Sequence, residues 1–195
     1  FDLAGFVRVE GEEGLKPEFN KGYEHIPELT LEQIAADKTI DCATIETFER
    51  NLTKYATFAL ELGLPVHMDK PGGVDHEAFK RMIDLVKAKD IVFHTGYMYR
   101  YNPAVLQCFE HIKNGDIGEI YSINAEMSTF HKPEYKKWLT NFGGGIMYIL
   151  GSHLIDLVVY ILGKPDKITS FLKHTKLDGI DFDDNNLAVL EYEKA

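Results

Sequence analysis

Two features of the sequence predict an α/β chain built in two parts. Residues 40–95 alternate strand, helix, strand, helix, strand, a βαβαβ series that makes a parallel sheet through right-handed crossovers. Beyond Gly118 the texture changes to long alternating runs with few helices between them, the pattern of an antiparallel sheet with a helix packed on it. The expected architecture is a parallel α/β sheet followed by an α+β unit with a largely antiparallel, open sheet. The boundary is expected near Asn102, which gives units 1–101 and 102–195.

Residues 3–9 form a short β-branched and aromatic run flanked by Gly11 and Gly14, expected as a strand ending in a loop, with Arg8 and Glu10 on one face of its end. Thr30 and Gln33 then form a capping box, with Leu29 and Ile34 as the hydrophobic staple of a helix start. A strand over 40–46 leads to a helix over 50–62, whose apolar stripe at 52, 55, 56, 59 and 60 is closed by Gly63. The strand 66–68 follows, then a helix over 76–87 with Phe79, Met82, Ile83 and Val86 inward, then the strand 91–95. Asn102 and Pro103 supply an N-cap and a first-turn proline for a helix with Val105, Leu106, Phe109 and Ile112 inward and Gly115 as its stop. One long strand is expected over 119–130, a long buried helix over 146–162, and two more strands over 167–174 and 186–192.

A chain of 195 residues has enough apolar side chains for a real core. Its formal charge of −10, with no basic run, argues against nucleic acid and against an anionic membrane surface. Cys42 and Cys108 lack metal or redox spacing and are expected to be buried free thiols, which suggests a reducing, cytoplasmic compartment. The apolar run 146–162 is broken by Gly151, Ser152, His153 and Asp156, so it is expected as a core helix rather than a membrane span. The eight histidines show no His-x-x-x-His pattern and the cysteines no Cys-x-x-Cys, so no metal site is expected. Neither a Gly-x-Ser-x-Gly elbow nor a Gly-x-Gly-x-x-Gly turn occurs.

Ligands of parallel sheets bind at the carboxyl ends of the strands, here Glu46-Thr47, Asp69-Lys70 and Gly96-Tyr97. Pro71 constrains the backbone of Lys70, so the ammonium is aimed by the chain. On the helix after Gly143-Gly144-Gly145, Tyr148, Ser152, Asp156 and Tyr160 recur every four residues and so lie along one side. His153 borders that stripe, with Asp156 three residues on, close enough to orient the imidazole. Burying such groups without partners would cost several kcal/mol, so a ligand or the facing sheet must supply them. His153 is thus a candidate proton donor or acceptor.

Asp69-Lys70-Pro71, Gly96-Tyr97-Met98-Tyr99-Arg100-Tyr101-Asn102-Pro103, Gly115-Asp116-Ile117-Gly118-Glu119-Ile120 and Gly143-Gly144-Gly145 through Gly151-Ser152-His153-Leu154-Ile155-Asp156 together resemble the glucose-fructose oxidoreductase / inositol dehydrogenase / rhizopine catabolism (Gfo/Idh/MocA) family. The resemblance runs along essentially the whole chain and implies a piece truncated at both ends: a partial Rossmann domain without its first βα unit, then a C-terminal sheet that stops early. It implies NAD or NADP as cofactor and a sugar, cyclitol or related polyol as substrate, with hydride moved to or from a hydroxyl-bearing carbon. It also implies a homo-oligomer at full length. Lys70 and His153 take the catalytic positions. Arg8, Glu10, Glu46, Thr47, Asn51, Asp69 and Lys70 are the implied cofactor contacts. Tyr97, Arg100, Tyr148, Ser152 and Asp156, with Lys70 and His153, are the implied substrate contacts. Glu10 favours ribose hydroxyls and Arg8 a 2′-phosphate, so NAD and NADP both stay open. The chain departs from the family pattern at four places: Ile149 where Asp precedes the histidine by one turn, Phe48 for Pro, Met98 for Asn and Asp69 for Glu. Those departures suggest altered substrate or chemistry. Redox-neutral glycoside cleavage with bound NAD, or a non-catalytic sensor on the same fold, are the alternatives.

Overall fold

The computed structural model describes residues 2–11, 22–140 and 143–194, which divide into two compact units, 1–96 and 97–195. Tyr97–Tyr101 therefore belong with the second unit, whereas the sequence pattern had grouped them with the first. Gly14 lies outside the described residues.

The first unit is a three-stranded parallel sheet of β1 (Ala43–Ile45), β2 (Val66–Met68) and β3 (Phe93–Thr95) in the order β1-β2-β3. Val66 stands opposite both Ala43 and Phe93, so the strands are in register and their carboxyl ends emerge together. Helix α1 (Leu31–Ala36) starts on the expected capping box: Thr30 Oγ1 accepts from the Gln33 N–H and Gln33 Oε1 accepts from the Thr30 N–H. Helices α2 (Glu49–Glu61) and α3 (His76–Lys89) pack on one face of the sheet. Their apolar stripes meet Val66 and Met68 in a core of Leu52, Ala56, Ala59, Leu60 and Met82. Alternation puts Val66 and Met68 into that core and leaves His67, between them, exposed. His67 Nδ1 lies 2.7 Å from Nδ1 of His94, its neighbour in register on β3, so one ring donates to the other. Among the described residues no group of three or more His, Cys, Asp or Glu could hold a metal ion.

Residues 3–9 do not form the expected strand. Among the described residues their one ladder contact is an isolated parallel bridge between Phe6 and Glu28, with Phe6 N–H donating to Pro27 O and Leu29 N–H to Phe6 O. A strand exists only as far as its partner runs alongside, and here the described pairing is the single bridge to Glu28.

The second unit opens with a 3₁₀ turn, Met98–Tyr101, and helix α4 (Pro103–Lys113), whose N-cap Asn102 accepts from the Ala104 N–H. Val105, Phe109 and Ile112 are half-buried, but Leu106 is exposed, contrary to the expected inward stripe. Helix α5 (Pro133–Leu139) follows, then a π-helical segment (Met147–Gly151) continuous with α6 (Ser152–Leu162). β4 (Lys167–Lys173) and β5 (Asn185–Glu191) form the expected antiparallel pair. Leu139 and Ile149, with Phe182, make this unit's buried apolar cluster.

The long strand expected over 119–130 is absent: the segment has no regular structure, and Tyr121 and Phe130 are exposed. Its alternation is that of a strand, but no described strand pairs with it, and backbone groups without a ladder partner stay in contact with solvent. Cys42 and Cys108 are free but exposed rather than buried. Cys42 precedes β1 at the surface, and α4 contains no fully buried residue to shelter Cys108. Among the described residues no helix is long and apolar enough to cross a membrane.

Candidate active site

In the first unit the strand ends bring Glu46, Asp69 and Lys70 into one electrostatic neighbourhood. Asp69 N–H donates to Ile45 O and Gly96 N–H to Met68 O, which carries the ladder one residue past each strand. Glu46 is held above its ordinary carboxylate value, first by loss of solvent and then by the Asp69 charge, while the Lys70 ammonium pulls it the other way. The turn after Lys70 is anchored to α2: Thr53 Oγ1 donates to Gly72 O at 3.1 Å, and the Lys70–Pro71 peptide is cis. Gly96 lets β3 end close against Asp69, since a Cβ there would come within 3.2 Å of Asp69 Oδ1.

The other implied cofactor contacts lie in the same unit with partners of their own. Arg8 Nε donates to Glu28 at 3.3 Å, and its guanidinium rests 5.3 Å from the Phe6 ring. Lys54 reaches the Glu10 carboxylate at 3.5 Å. Asn51 is buried and its amide donates to the Glu10 carbonyl at 2.9 Å, so it ties α2 to the loop that bears Glu10. Phe48 precedes α2 at the N-cap position, under the Arg50 guanidinium at 4.8 Å, and Thr47 beside it is half-buried.

A dinucleotide site needs acceptors for ribose hydroxyls and an open backbone near the ring. Glu46 and Asp69 at the strand ends are acceptors of the kind ribose hydroxyls need. The glycine-rich turn that cradles the pyrophosphate has no counterpart in this sequence.

In the second unit an open cleft of about 530 Å³ is lined by Tyr97, Tyr148, Ser152, Asp156, Ser170 and Asp183, with Met147, Ile155, Val159 and Leu172 as its apolar part. That mixture of a few convergent polar groups on apolar walls is typical of a small-molecule site. Helical periodicity explains most of it, because residues 148, 152, 155, 156 and 159 share one side of the helix. Ser152 Oγ is buried with no hydrogen-bond partner among the described residues. Gly145 gives the helix its start: its φ is +60°, a Cβ there would lie 2.8 Å from Asp183 O, and the next N–H, of Ile146, donates to that same oxygen at 2.9 Å.

His153 is 6% exposed and belongs to a different side of α6. The rings of Tyr99 and Tyr97 stand edge-on to its imidazole, with centroids 4.9 and 5.9 Å away. Tyr97 thus touches the imidazole and also lines the cleft. Asp156 binds Arg100 instead of the imidazole: Arg100 Nε donates to Oδ2 at 2.7 Å and Nη2 to Oδ1 at 2.5 Å. The guanidinium is raised above its already high ordinary value chiefly by these bonds, and it lies 4.7 Å from the Tyr160 ring. Of the substrate contacts the resemblance implies, Tyr97, Tyr148, Ser152 and Asp156 converge on the cleft. Arg100 stands behind Asp156, and His153 behind Tyr97. Ser170 and Asp183 were missed by the motifs. Ser170 follows from the outward phase of β4, but nothing local marks Asp183, which tertiary folding brings to the helix start.

A parallel sheet with clustered polar groups at its carboxyl ends and an α+β unit with a polar cleft beside a buried histidine place the chain among two-unit α/β proteins. Residues 105–195 match the GFO/IDH/MocA C-terminal domain. An uncharacterised oxidoreductase of Schizosaccharomyces pombe is 27% identical over 165 residues, which are 83% of this chain and 45% of that protein. Levoglucosan dehydrogenase of Pseudarthrobacter phenanthrenivorans is 28% identical over 147 residues, 71% of this chain and 37% of that protein. The crystal structure of myo-inositol 2-dehydrogenase from Lactobacillus plantarum has the same fold, with a TM-score of 0.71 at 22% identity over 91% of this chain and 54% of that one. The chain thus spans less than half the length of these two curated relatives.

Proposed function

We propose that this chain is part of an NAD(P)-dependent dehydrogenase acting on a hydroxyl-bearing carbon of a sugar, cyclitol or related polyol. The observation that carries the reading is the cleft of Tyr97, Tyr148, Ser152 and Asp156, whose few polar groups stand among apolar walls that suit the C–H face of a ring. The named sugar dehydrogenase among the relatives supports the same substrate class. When bound, the nicotinamide supplies the hydride chemistry. By the family resemblance, Lys70 in the first unit is the candidate that lowers the cost of charge on a reacting oxygen, and His153 in the second is the candidate proton-transfer group. Glu46 and Asp69 accept from ribose hydroxyls. A cytoplasmic location and a homo-oligomer complete the reading, the first supported by two free thiols and the second by the apolar side chains that β4 and β5 leave exposed, among them Phe171 and Leu187.

The test is reduction of NAD and NADP by the full-length protein across a panel of neutral sugars, glycosides and cyclitols. Turnover with at least one of them, falling about 10²- to 10⁴-fold in Lys70→Ala, is the expected result. A folded protein that reduces neither cofactor with any of them overturns the reading. Ile149, where the family pattern has Asp, keeps a second reading in view. Release of an aglycone without net reduction would indicate redox-neutral cleavage, and sugar binding without either reaction a sensor.

A further inference from the structure

Arg100 is held at three points. Its Nε and Nη2 donate to the two oxygens of Asp156, whose side chain is 9% exposed, and its guanidinium lies over Tyr160, which in turn packs on Phe109 of α4 at 4.7 Å. The turn that carries Arg100 is itself stiff: its N–H donates to Tyr97 O at 3.2 Å, and Asn102 N–H donates to Tyr99 O at 3.1 Å. The same turn presents Tyr97 and Tyr99 edge-on to the His153 ring at 90° and 89°. Asp156 is three residues past His153 on α6, so the ion pair fastens the turn to the helix one helical turn away from the imidazole.

We infer that Arg100 is a positioning residue for His153: its two-pronged bond to Asp156 fixes the Met98–Tyr101 turn, and with it the two tyrosine edges that set the orientation of the imidazole. The inference rests on the reading of His153 as the proton-transfer group. It gives Arg100 a role other than substrate contact, and it gives Asp156 a role other than charging the histidine, since both carboxylate oxygens face the guanidinium. A lysine keeps the charge but cannot reproduce the planar, two-donor fork.

The experiment follows the His153 ring by NMR titration in the full-length protein, with the resonance assigned by its loss in His153→Gln, together with steady-state kinetics. In Arg100→Lys, the His153 titration midpoint is expected to move by about 0.5 pH units or more. The kcat is expected to fall about 10- to 100-fold while KM changes by less than about threefold. Asp156→Asn, which removes the charge but keeps the shape, is expected to move the midpoint as well. A folded Arg100→Lys whose titration and pH–rate profile superimpose on the wild type overturns the inference. Tyr99→Leu leaves the ion pair intact and removes one wall of the imidazole, so an unmoved His153 titration in that variant also overturns it, whether or not the ion-pair variants fold. If the wild type turns over no substrate, the dehydrogenase reading fails, and the titrations still decide the part played by Arg100.

Discussion

Ile149 stands where the family pattern has a carboxylate one turn before the histidine. It is 8% exposed and packs with Leu139 and Phe182, with Ile146, Leu150 and Ile180 around them. A carboxylate in that position would be surrounded by hydrocarbon, where an unpaired charge is costly. Ile149→Asp is therefore expected to destabilise the protein by on the order of 3 kcal/mol, read by chemical denaturation, and not to raise turnover. An Asp variant as stable as wild type would mean that the cluster opens to water. Glu46 makes the opposite case, a carboxylate already under strain. Its folded-state value is raised, so the folded chain binds more protons than the unfolded one between the ordinary and the raised value, and stability contributed by protonated Glu46 is lost as pH rises through that window. Glu46→Gln is expected to raise the melting temperature at pH 7 and to have no such effect below the carboxylate range. An equal effect at both ends of the pH scale would rule out electrostatics as the cause.

Among the elements, the turn between β2 and α3 is the most constrained. Gly73 has a φ of +86°, and a Cβ there would stand 2.1 Å from Thr53 Oγ1, the group that holds Gly72 O. Gly73→Ala is expected to cost about 1–3 kcal/mol and to loosen the segment that presents Lys70. In a Thr53→Ala background the cost should shrink, because the clash is gone and only the backbone strain remains; strict additivity would show that the contact does not matter. The helices were legible in the sequence because their signals are local: Thr30 with Gln33, Asn102 with Pro103, and the stripe of α2 all lie within a few residues of what they control. The strands were less so. Residues 119–130 alternate as a strand should, yet they have no ladder partner among the described strands, and residues 3–9 have only Phe6 paired. Alternation reports which side chains would face inward, and pairing decides whether there is a strand at all.

At the scale of the whole molecule, each unit has its own core. Leu52, Leu60, Met68 and Met82 form one, and Leu139, Ile149 and Phe182 the other. The sequence by itself determined the order of helices and strands in the parallel sheet, the antiparallel pair and the polar stripe of Tyr148, Ser152 and Asp156, because periodicity and motif spacing are properties of neighbouring residues. Only the tertiary structure decided that Asp156 bonds Arg100, 56 positions away, rather than His153, that Ser170 and Asp183 complete the cleft wall, that Cys42 and Cys108 face solvent, and that Ile149 is buried among hydrocarbon. Those outcomes depend on which distant surfaces meet. A hydrogen-bond donor chooses among every acceptor that folding brings within reach, and sequence spacing on one helix names only the nearest of them.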